Sequence, residues 1–369
     1  MPEAFLDPET VEGGERSAAS PISPPLDRRA PALSDKVAFL RRPSSYGLTG
    51  EVECVETHMS WVFLAGQRAY KLKKPVSFGY LDFSTLAKRE AACRAELALN
   101  TALADGVYIE VAPLVLAADG LALGGRGAVV DWLVVMQRLD REDMLDKRIG
   151  RRPPTRAELD RLALALARFR CHARPRPVAP ARYLRLLRQA LIDDRAILLR
   201  PELRLPSGSI RRVDSVLQRA LRCRSDPFAA RAGRLIDGHG DLRPEHICFD
   251  GPVVRIIDRI EFNATLRRID PLDELAYLDL ECERLGSPAA GCRIRAGVTH
   301  ASRKRVDEAV WLFYRCHRAM LRARLSIAHL LEPRPRTPAK WAPQARSYLR
   351  IAVRDAGRLE RLLNRPGGW

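Results

Sequence analysis

No apolar run in this 369-residue chain reaches the roughly 18 residues that a transmembrane helix requires, so the sequence predicts no membrane-spanning helix. The opening stretch, Met1-Pro2-Glu3-Ala4-Phe5-Leu6-Asp7, lacks both a basic start and an apolar segment, and no secretory signal is expected. The cysteines at 54, 93, 171, 223, 248, 282, 292 and 316 include no C-x-x-C pair, which argues against a disulfide framework or zinc ribbon and for a reducing cytoplasm. Lysine is scarce, 8 of 63 basic residues. The net charge of +18 would suit a nucleic-acid partner, but the arginines are spread along the chain instead of forming a basic patch. Arg-, Ala- and Leu-rich composition also follows from GC-rich coding, so nucleic acid is not the expected partner. No G-x-x-x-x-G-K-[ST] phosphate loop is present, and Gly124-Gly125-Arg126-Gly127 reads as a turn between strands.

The hydrophobic content of 46% is enough for a large core arranged as two lobes. Residues 1–35, with Pro-Ile-Ser-Pro-Pro at 21–25, read as a flexible tail. Order is expected near Asp35, where Val37-Ala38-Phe39-Leu40 starts a helix. Trp61-Val62-Phe63-Leu64, the turn Gly66-Gln67-Arg68 and the alternating Ala69-Tyr70-Lys71-Leu72-Lys73 predict a hairpin. Ser84 would cap a helix over about 85–104. Strands follow at 111–116, 121–123 and 129–136. Beyond residue 140 helical spacing dominates, interrupted once by strand character at 247–249 and 253–257. A β-rich first part and a helix-rich second part give an α+β class.

The most informative stretch is His239-Gly240-Asp241-Leu242-Arg243-Pro244-Glu245-His246, followed by Ile256-Ile257-Asp258. It sets two carboxylates at the two ends of one short hairpin. Phosphoryl transfer needs such a pair: one acid accepts the acceptor hydroxyl's proton, and the other holds the divalent ion that bridges the nucleotide phosphates. Taken singly, Asp241 could cap a turn and Asp258 could end a strand.

This stretch resembles the catalytic loop H-R-D-L-K-P-E-N of kinases and the H-G-D-L-x-P-x-N of aminoglycoside and choline phosphotransferases. His239, Asp241, Leu242, Pro244 and Glu245 match in place, and Gly240 matches the small-molecule branch. The resemblance implies a bilobal protein-kinase-like fold. A tail over 1–35 would precede a small β-rich N-lobe over 36–139 and a larger helical C-lobe over 140–369. It makes Asp241 the catalytic base, with His239 beside it, and sets Asp258 where the metal-binding aspartate stands. His246 occupies a position where the family has asparagine. It could ligate a metal, orient Asp241 or mark a weakened enzyme.

In the first part, Ala69-Tyr70-Lys71 parallels the A-x-K of the kinase lysine strand, so Lys71 is the expected nucleotide-holding cation, with Lys73 on the same face as its alternative. Glu90 and Glu96 both offer a partner carboxylate. Cys93-x-x-Glu96-Leu97-x-Leu99-Asn100 and Glu56-Thr57-His58-Met59-Ser60-Trp61 resemble a bacterial branch of the superfamily. That likeness favours Glu96 and adds Ser60 to the nucleotide site. Members of the branch often carry a C-terminal P-loop kinase domain, and this chain is expected to lack one. Met136, Gln137 and Leu139 fall where kinases place the adenine-contacting hinge. Glu261 is a second-choice metal ligand. Asp270-Pro271-Leu272-Asp273-Glu274-Leu275-Ala276 echoes D-P-x-x-D-L-A and is expected to be structural. Trp311 to Arg324 is expected to form a helix with a core face and a solvated basic face, an anionic acceptor site being the other reading. The implied activity is transfer of phosphate from ATP, with Mg²⁺ or Mn²⁺, to a small-molecule hydroxyl. No A-P-E segment points to a protein substrate.

Overall fold

The computed structural model describes residues 31–302, 306–333, 335 and 337–365. Residues 1–30 of the tail expected over 1–35 lie outside them. The chain divides into two compact units. Among the described residues, one comprises 31–97 and 107–138; the other contains 98–106 and those from 139 to 365.

The first unit opens with helix α1 (Leu33–Leu40), whose first three residues fall within the expected tail. Asp35 explains the early start: its Oδ2 accepts the Ala32 backbone N–H, satisfying one donor at the helix entrance. Strands β1 (Val52–Glu56), β2 (Ser60–Ala65) and β3 (Arg68–Lys73) follow. A small pair, β4 (Ser77–Phe78) and β5 (Leu81–Asp82), then leads to helix α2 (Leu86–Thr101), of which Leu86–Leu97 belong here. Next come β6 (Tyr108–Ala117), β7 (Gly120–Leu123) and β8 (Ala128–Gln137). The six long strands form one antiparallel sheet in the order β1-β2-β3-β8-β6-β7. Period-two alternation sends Phe63 and Leu72 into a core with Leu114, Leu133, Val37 and Leu40. On β8, Asp131 is buried and therefore paired. It takes Lys36 Nζ at 2.8 Å from α1 and Arg89 Nε at 2.7 Å from α2, tying both helices to the sheet.

The second unit is helical: α3 (Leu145–Arg151), α4 (Arg156–His172), α5 (Pro180–Leu198), α6 (Ser207–Cys223) and α7 (Ser225–Ala229). Short strands β9 (Ile236–Asp237), β10 (Ile247–Asp250) and β11 (Val253–Ile256), helix α8 (Ala264–Arg267) and β12 (Arg268–Ile269) interrupt it. Helices α9 (Pro271–Arg284), α10 (Pro288–Ser302), α11 (Glu308–Ala328) and α12 (Pro338–Leu363) complete it. Strands β10 and β11 pair as a hairpin, and β9 pairs with β12. Helices α9 and α11 are buried on nearly every face, which puts them at the centre of the bundle. The α+β class expected from the sequence is the one found. No helix among the described residues is long and apolar enough to cross a membrane.

The solvated basic face expected on α11 is not there. Arg315, Arg318, Arg322 and Arg324 are buried or nearly so, and a buried guanidinium must meet an acid. Arg315 meets Asp355, Asp279 and Glu283; Arg318 holds both oxygens of Asp273; Arg322 lies near Glu281; and Arg324 faces Asp194. The helix lies between α9 and α12 and also packs on α5 and α6, which leaves it no solvated basic face.

Candidate active site

In the second unit the chain from His239 to His246 forms a loop after β9, held from behind by α9. Glu274 Oε1 accepts the backbone N–H groups of His239 at 2.7 Å and Gly240 at 2.8 Å. Burial raises the Glu274 carboxyl above its ordinary range, while those two N–H groups pull the other way. Gly240 has φ +89, and a Cβ there would come within 2.9 Å of Ile260 Cδ1 and 3.2 Å of the Leu266 carbonyl oxygen. Only glycine takes that left-handed, crowded position without strain.

The loop presents Asp241 with 30% of its side chain exposed. Oδ2 accepts Arg243 Nε at 3.0 Å, and Oδ1 accepts the Tyr277 hydroxyl at 3.2 Å. Burial works against ionisation, but Arg243, His246 and Arg322 outweigh it and hold the carboxyl well below the usual carboxylate range. Asp241 is therefore an anion with a lone pair still open to solvent.

His239 is grouped with Asp241 by sequence, yet both its ring nitrogens are spent on backbone. Nε2 lies 2.9 Å from the Ile257 carbonyl, and Nδ1 accepts the Asp241 N–H at 3.3 Å. Burial, then the nearby His246, lowers its pKa to about 4, so the ring is neutral and serves to position the loop against the strand leading to Asp258.

His246 stacks near His239, ring centroids 5.9 Å apart. Its Nδ1 is 2.8 Å from the Asp241 carbonyl, which can only accept, so Nδ1 carries the proton. Nε2 is then a lone pair, 3.3 Å from Arg243 Nη2 and 3.5 Å from Asp258 Oδ2. Asp258 sits two residues beyond β11 with φ +62, a conformation non-glycine residues take at a cost and keep where surrounding structure enforces it. Here Asn100 enforces it: its side chain accepts the Arg259 N–H at 2.8 Å and donates to the Arg259 carbonyl at 3.4 Å. Arg259 in turn bonds the carbonyls of Gly238 and Asp237. An imidazole lone pair facing a carboxylate is a donor pair suited to a divalent cation. Among the described residues no group of three or more His, Cys, Asp or Glu side chains could hold one unaided. Mg²⁺ is usually held by one or two carboxylates with water and phosphate oxygens completing the shell, so Asp258 suits it, whereas the imidazole nitrogen suits softer divalent ions better.

In the first unit Lys71 and Lys73, two apart on β3, share one carboxylate. Lys71 Nζ is 2.8 Å from Glu96 Oε1, and Lys73 Nζ is 2.6 Å from Oε2. Lys71 keeps 15% of its side chain exposed and Lys73 keeps 1%. Glu90 instead forms an exposed helix-surface pair with Arg94. Ser60 is buried at the start of β2; its N–H bonds Thr57 Oγ1 at 2.9 Å and its carbonyl accepts Thr57. Met136 pairs with Ala69 across the sheet. The Gln137 N–H is committed to the Val107 carbonyl at 2.7 Å, which leaves a hinge there only its carbonyl face. Leu139 begins the second unit.

Sequence reasoning missed Arg243, Tyr277 and the positioning roles of Glu274 and Asn100. The first lies inside the motif, and its place between two acids was the available signal. Asn100 stood inside a quoted motif without an assigned task. Glu261, the second-choice metal ligand, is half-buried beyond the hairpin.

No protein-family model matches the chain. An uncharacterized protein of Mycobacterium tuberculosis is 30% identical over 292 residues, covering 78% of this chain and 57% of that protein. The chain thus spans little more than half the length of the curated relatives it matches. A solved choline/ethanolamine kinase family protein from Mesorhizobium loti superposes with TM-score 0.51 at 18% identity, covering 90% of this chain and 95% of that one. A thermostable mutant of the aminoglycoside phosphotransferase APH(4)-Ia gives TM-score 0.45 at 13% identity over 90% and 99% of the two chains. The fold, a β-rich unit followed by a helical one, is the one this choline/ethanolamine kinase family protein has.

Proposed function

We propose that this chain, built on the fold of the small-molecule kinases, is a cytoplasmic ATP-dependent phosphotransferase that moves the γ-phosphate to a hydroxyl of a small molecule. One observation carries the reading: the Glu274 carboxylate clamps two successive backbone N–H groups and thereby presents an ionised, partly exposed Asp241 beside the His246–Asp258 pair. Asp241 receives the acceptor hydroxyl's proton. Its strongly acidic character fits a loose transition state, in which that proton leaves late, after most of the bond to the leaving group has broken. Mg²⁺ or Mn²⁺, held by His246 Nε2 and Asp258, would neutralise charge on the transferring phosphates. Arg243 fixes the carboxylate's orientation, and Tyr277 holds its second oxygen. Lys71, kept extended by Glu96, supplies the phosphate-binding cation. Ser60, Met136, Gln137 and Leu139 belong to the proposed nucleotide site.

The test is ADP release with ATP and a pooled library of hydroxylated metabolites, with product detection by mass shift. Asp241→Asn, nearly isosteric and far less basic, should reduce turnover at least ~100-fold with unchanged melting. Full turnover in that variant overturns the assignment. Histidine in place of the usual asparagine at 246 favours one rival: a nucleotide-binding protein with little catalysis. That rival predicts ATP binding without turnover in either metal.

A further inference from the structure

Within the helical unit, a cavity of about 170 Å³ opens against Asp241. A cavity of roughly 150 Å³ holds a benzene ring, so this one admits a six-membered ring and a substituent. Leu186 and Leu187 of α5 and Leu321 and Leu325 of α11 give it an apolar wall.

Its charges are largely cancelled by the protein itself. Asp270 is bound by Arg231 and by the Tyr314 hydroxyl. Asp273 gives both oxygens to Arg318, at 2.7 Å each. Arg324 lies 2.9 Å from Asp194, and Arg322 is 3.4 Å from Glu281 with its guanidinium over the Tyr277 and Tyr348 rings. Asp241 has Arg243. Arg268 lines the same cavity, and among the described residues no hydrogen bond or ion pair is found for its side chain. Each lining carboxylate thus has a cation partner, and Arg268 is the lining arginine for which the described residues supply no acid.

His317, 4% exposed, also lines the cavity; its Nδ1 is fully buried and has no hydrogen-bond partner among the described residues. Burial, then Arg318 and Arg324, brings its pKa to about 3, so it adds a neutral ring to the wall and no charge.

We propose that this cavity is the acceptor site and that it selects small hydroxylated anions: a compact apolar body, one anionic group on Arg268, and a hydroxyl directed to Asp241. The inference rests on the phosphotransferase reading above. In the step it implies, the acceptor oxygen bonds to the γ-phosphorus and the bond from that phosphorus to the β–γ bridging oxygen breaks. The hydroxyl proton goes to Asp241, and ADP leaves. A cationic acceptor would meet carboxylates already paired and an arginine of like charge, an arrangement that rejects it.

The test uses three ligands with one ring and one hydroxyl: 3-hydroxycyclohexanecarboxylate, cyclohexane-1,3-diol and 3-aminocyclohexanol. Calorimetry on the full chain should show the carboxylate binding at least ~10-fold more tightly than the diol, with the amine weakest. Arg268→Gln should bring the carboxylate close to the diol, and Arg268→Lys, which keeps the charge, should preserve the order. Equal binding of the three, absence of binding included, overturns the inference, as does an order indifferent to Arg268→Gln. ADP release is measured in parallel. Carboxylate binding without Asp241-dependent transfer would remove the phosphotransferase reading and leave the anion site. Transfer without charge preference would remove the anion site alone.

Discussion

Removing the Glu274 side chain should free the loop that carries Asp241, and the size of the effect can be worked from two bonds. Oε1 accepts from the N–H groups of His239 and Gly240 at 2.7 and 2.8 Å. In Glu274→Ala both donors lose their partner. An unsatisfied buried donor costs about 1–3 kcal/mol, so the pair costs roughly 2–6 kcal/mol. Burial disfavours the Glu274 charge, and its removal returns part of that cost, which places the expected loss in the lower half of the range. Glu274→Gln keeps an oxygen where both N–H groups point but turns two charge-assisted bonds into neutral ones, for about 1–2 kcal/mol. The direct assay is hydrogen exchange at those two amides, where each 1.4 kcal/mol of local stability is about tenfold in rate. Glu274→Ala should exchange them at least ~10-fold faster, Glu274→Gln less so, with amides of α12 little changed. Turnover should fall in the same order. Unaltered exchange and turnover in Glu274→Ala would refute the claim that this carboxylate positions the loop.

Three further outcomes follow from the geometry. Lys71→Ala should weaken ATP binding with little change in melting, whereas Lys73→Ala, which strips a fully buried cation from Glu96, should destabilise the fold by about 3 kcal/mol; calorimetry and thermal melts of both variants decide, and the reverse pattern would transfer the phosphate role to Lys73. His246→Asn replaces an imidazole nitrogen by a carbonyl oxygen and should raise activity with Mg²⁺ relative to Mn²⁺; an unchanged ratio would reduce His246 to an orienting group. Burial brings the Asp194 carboxyl up to about 7 against the pull of Arg324. The folded state then holds a proton that the unfolded chain surrenders near pH 4, so this group's contribution is complete below pH 4 and is lost as pH rises to about 7, by at most ~1.4 kcal/mol per pH unit. Asp194→Asn should flatten that part of the stability profile, and parallel denaturation curves from pH 4.5 to 8 would reject the assignment.

The parts of the molecule legible in the sequence are those whose cause is local. The β2–β3 hairpin shows in the alternation of Ala69 to Lys73, because Tyr70 and Leu72 enter one small core while Ala69, Lys71 and Lys73 take the other face. The hairpin β10–β11 shows for the same reason, and its length alone sets how far apart along the chain Asp241 and Asp258 stand. Gly240 is legible because its backbone angle is a property of one residue. The two-residue strands β9 and β12 are too short to carry a period, and the Asp237–Arg268 pairing that brings Arg268 to the cavity cannot be read from them.

What was not legible depends on pairing between distant charges. Asn100 acts on Arg259 across 159 positions, and Glu274 acts on His239 across 35; each reads locally as an ordinary helix residue. The arginines of α11 show the limit most clearly. Apolar and basic positions alternate along that helix at a spacing that also describes a half-exposed surface helix, and this produced the expectation of a solvated face. What distinguishes the two cases lies elsewhere, in the acids of α9 at 273, 279, 281 and 283, a helix whose other positions are almost all apolar. Carboxylates on so apolar a helix must be buried, and buried carboxylates need cations. A chain with one acid-bearing core helix and one arginine-bearing core helix therefore has those two helices in contact, which is the packing observed for α9 and α11. Among the arginines that line the cavity beside Asp241, Arg268 alone finds no acid among the described residues, which is why the anion is proposed to bind there.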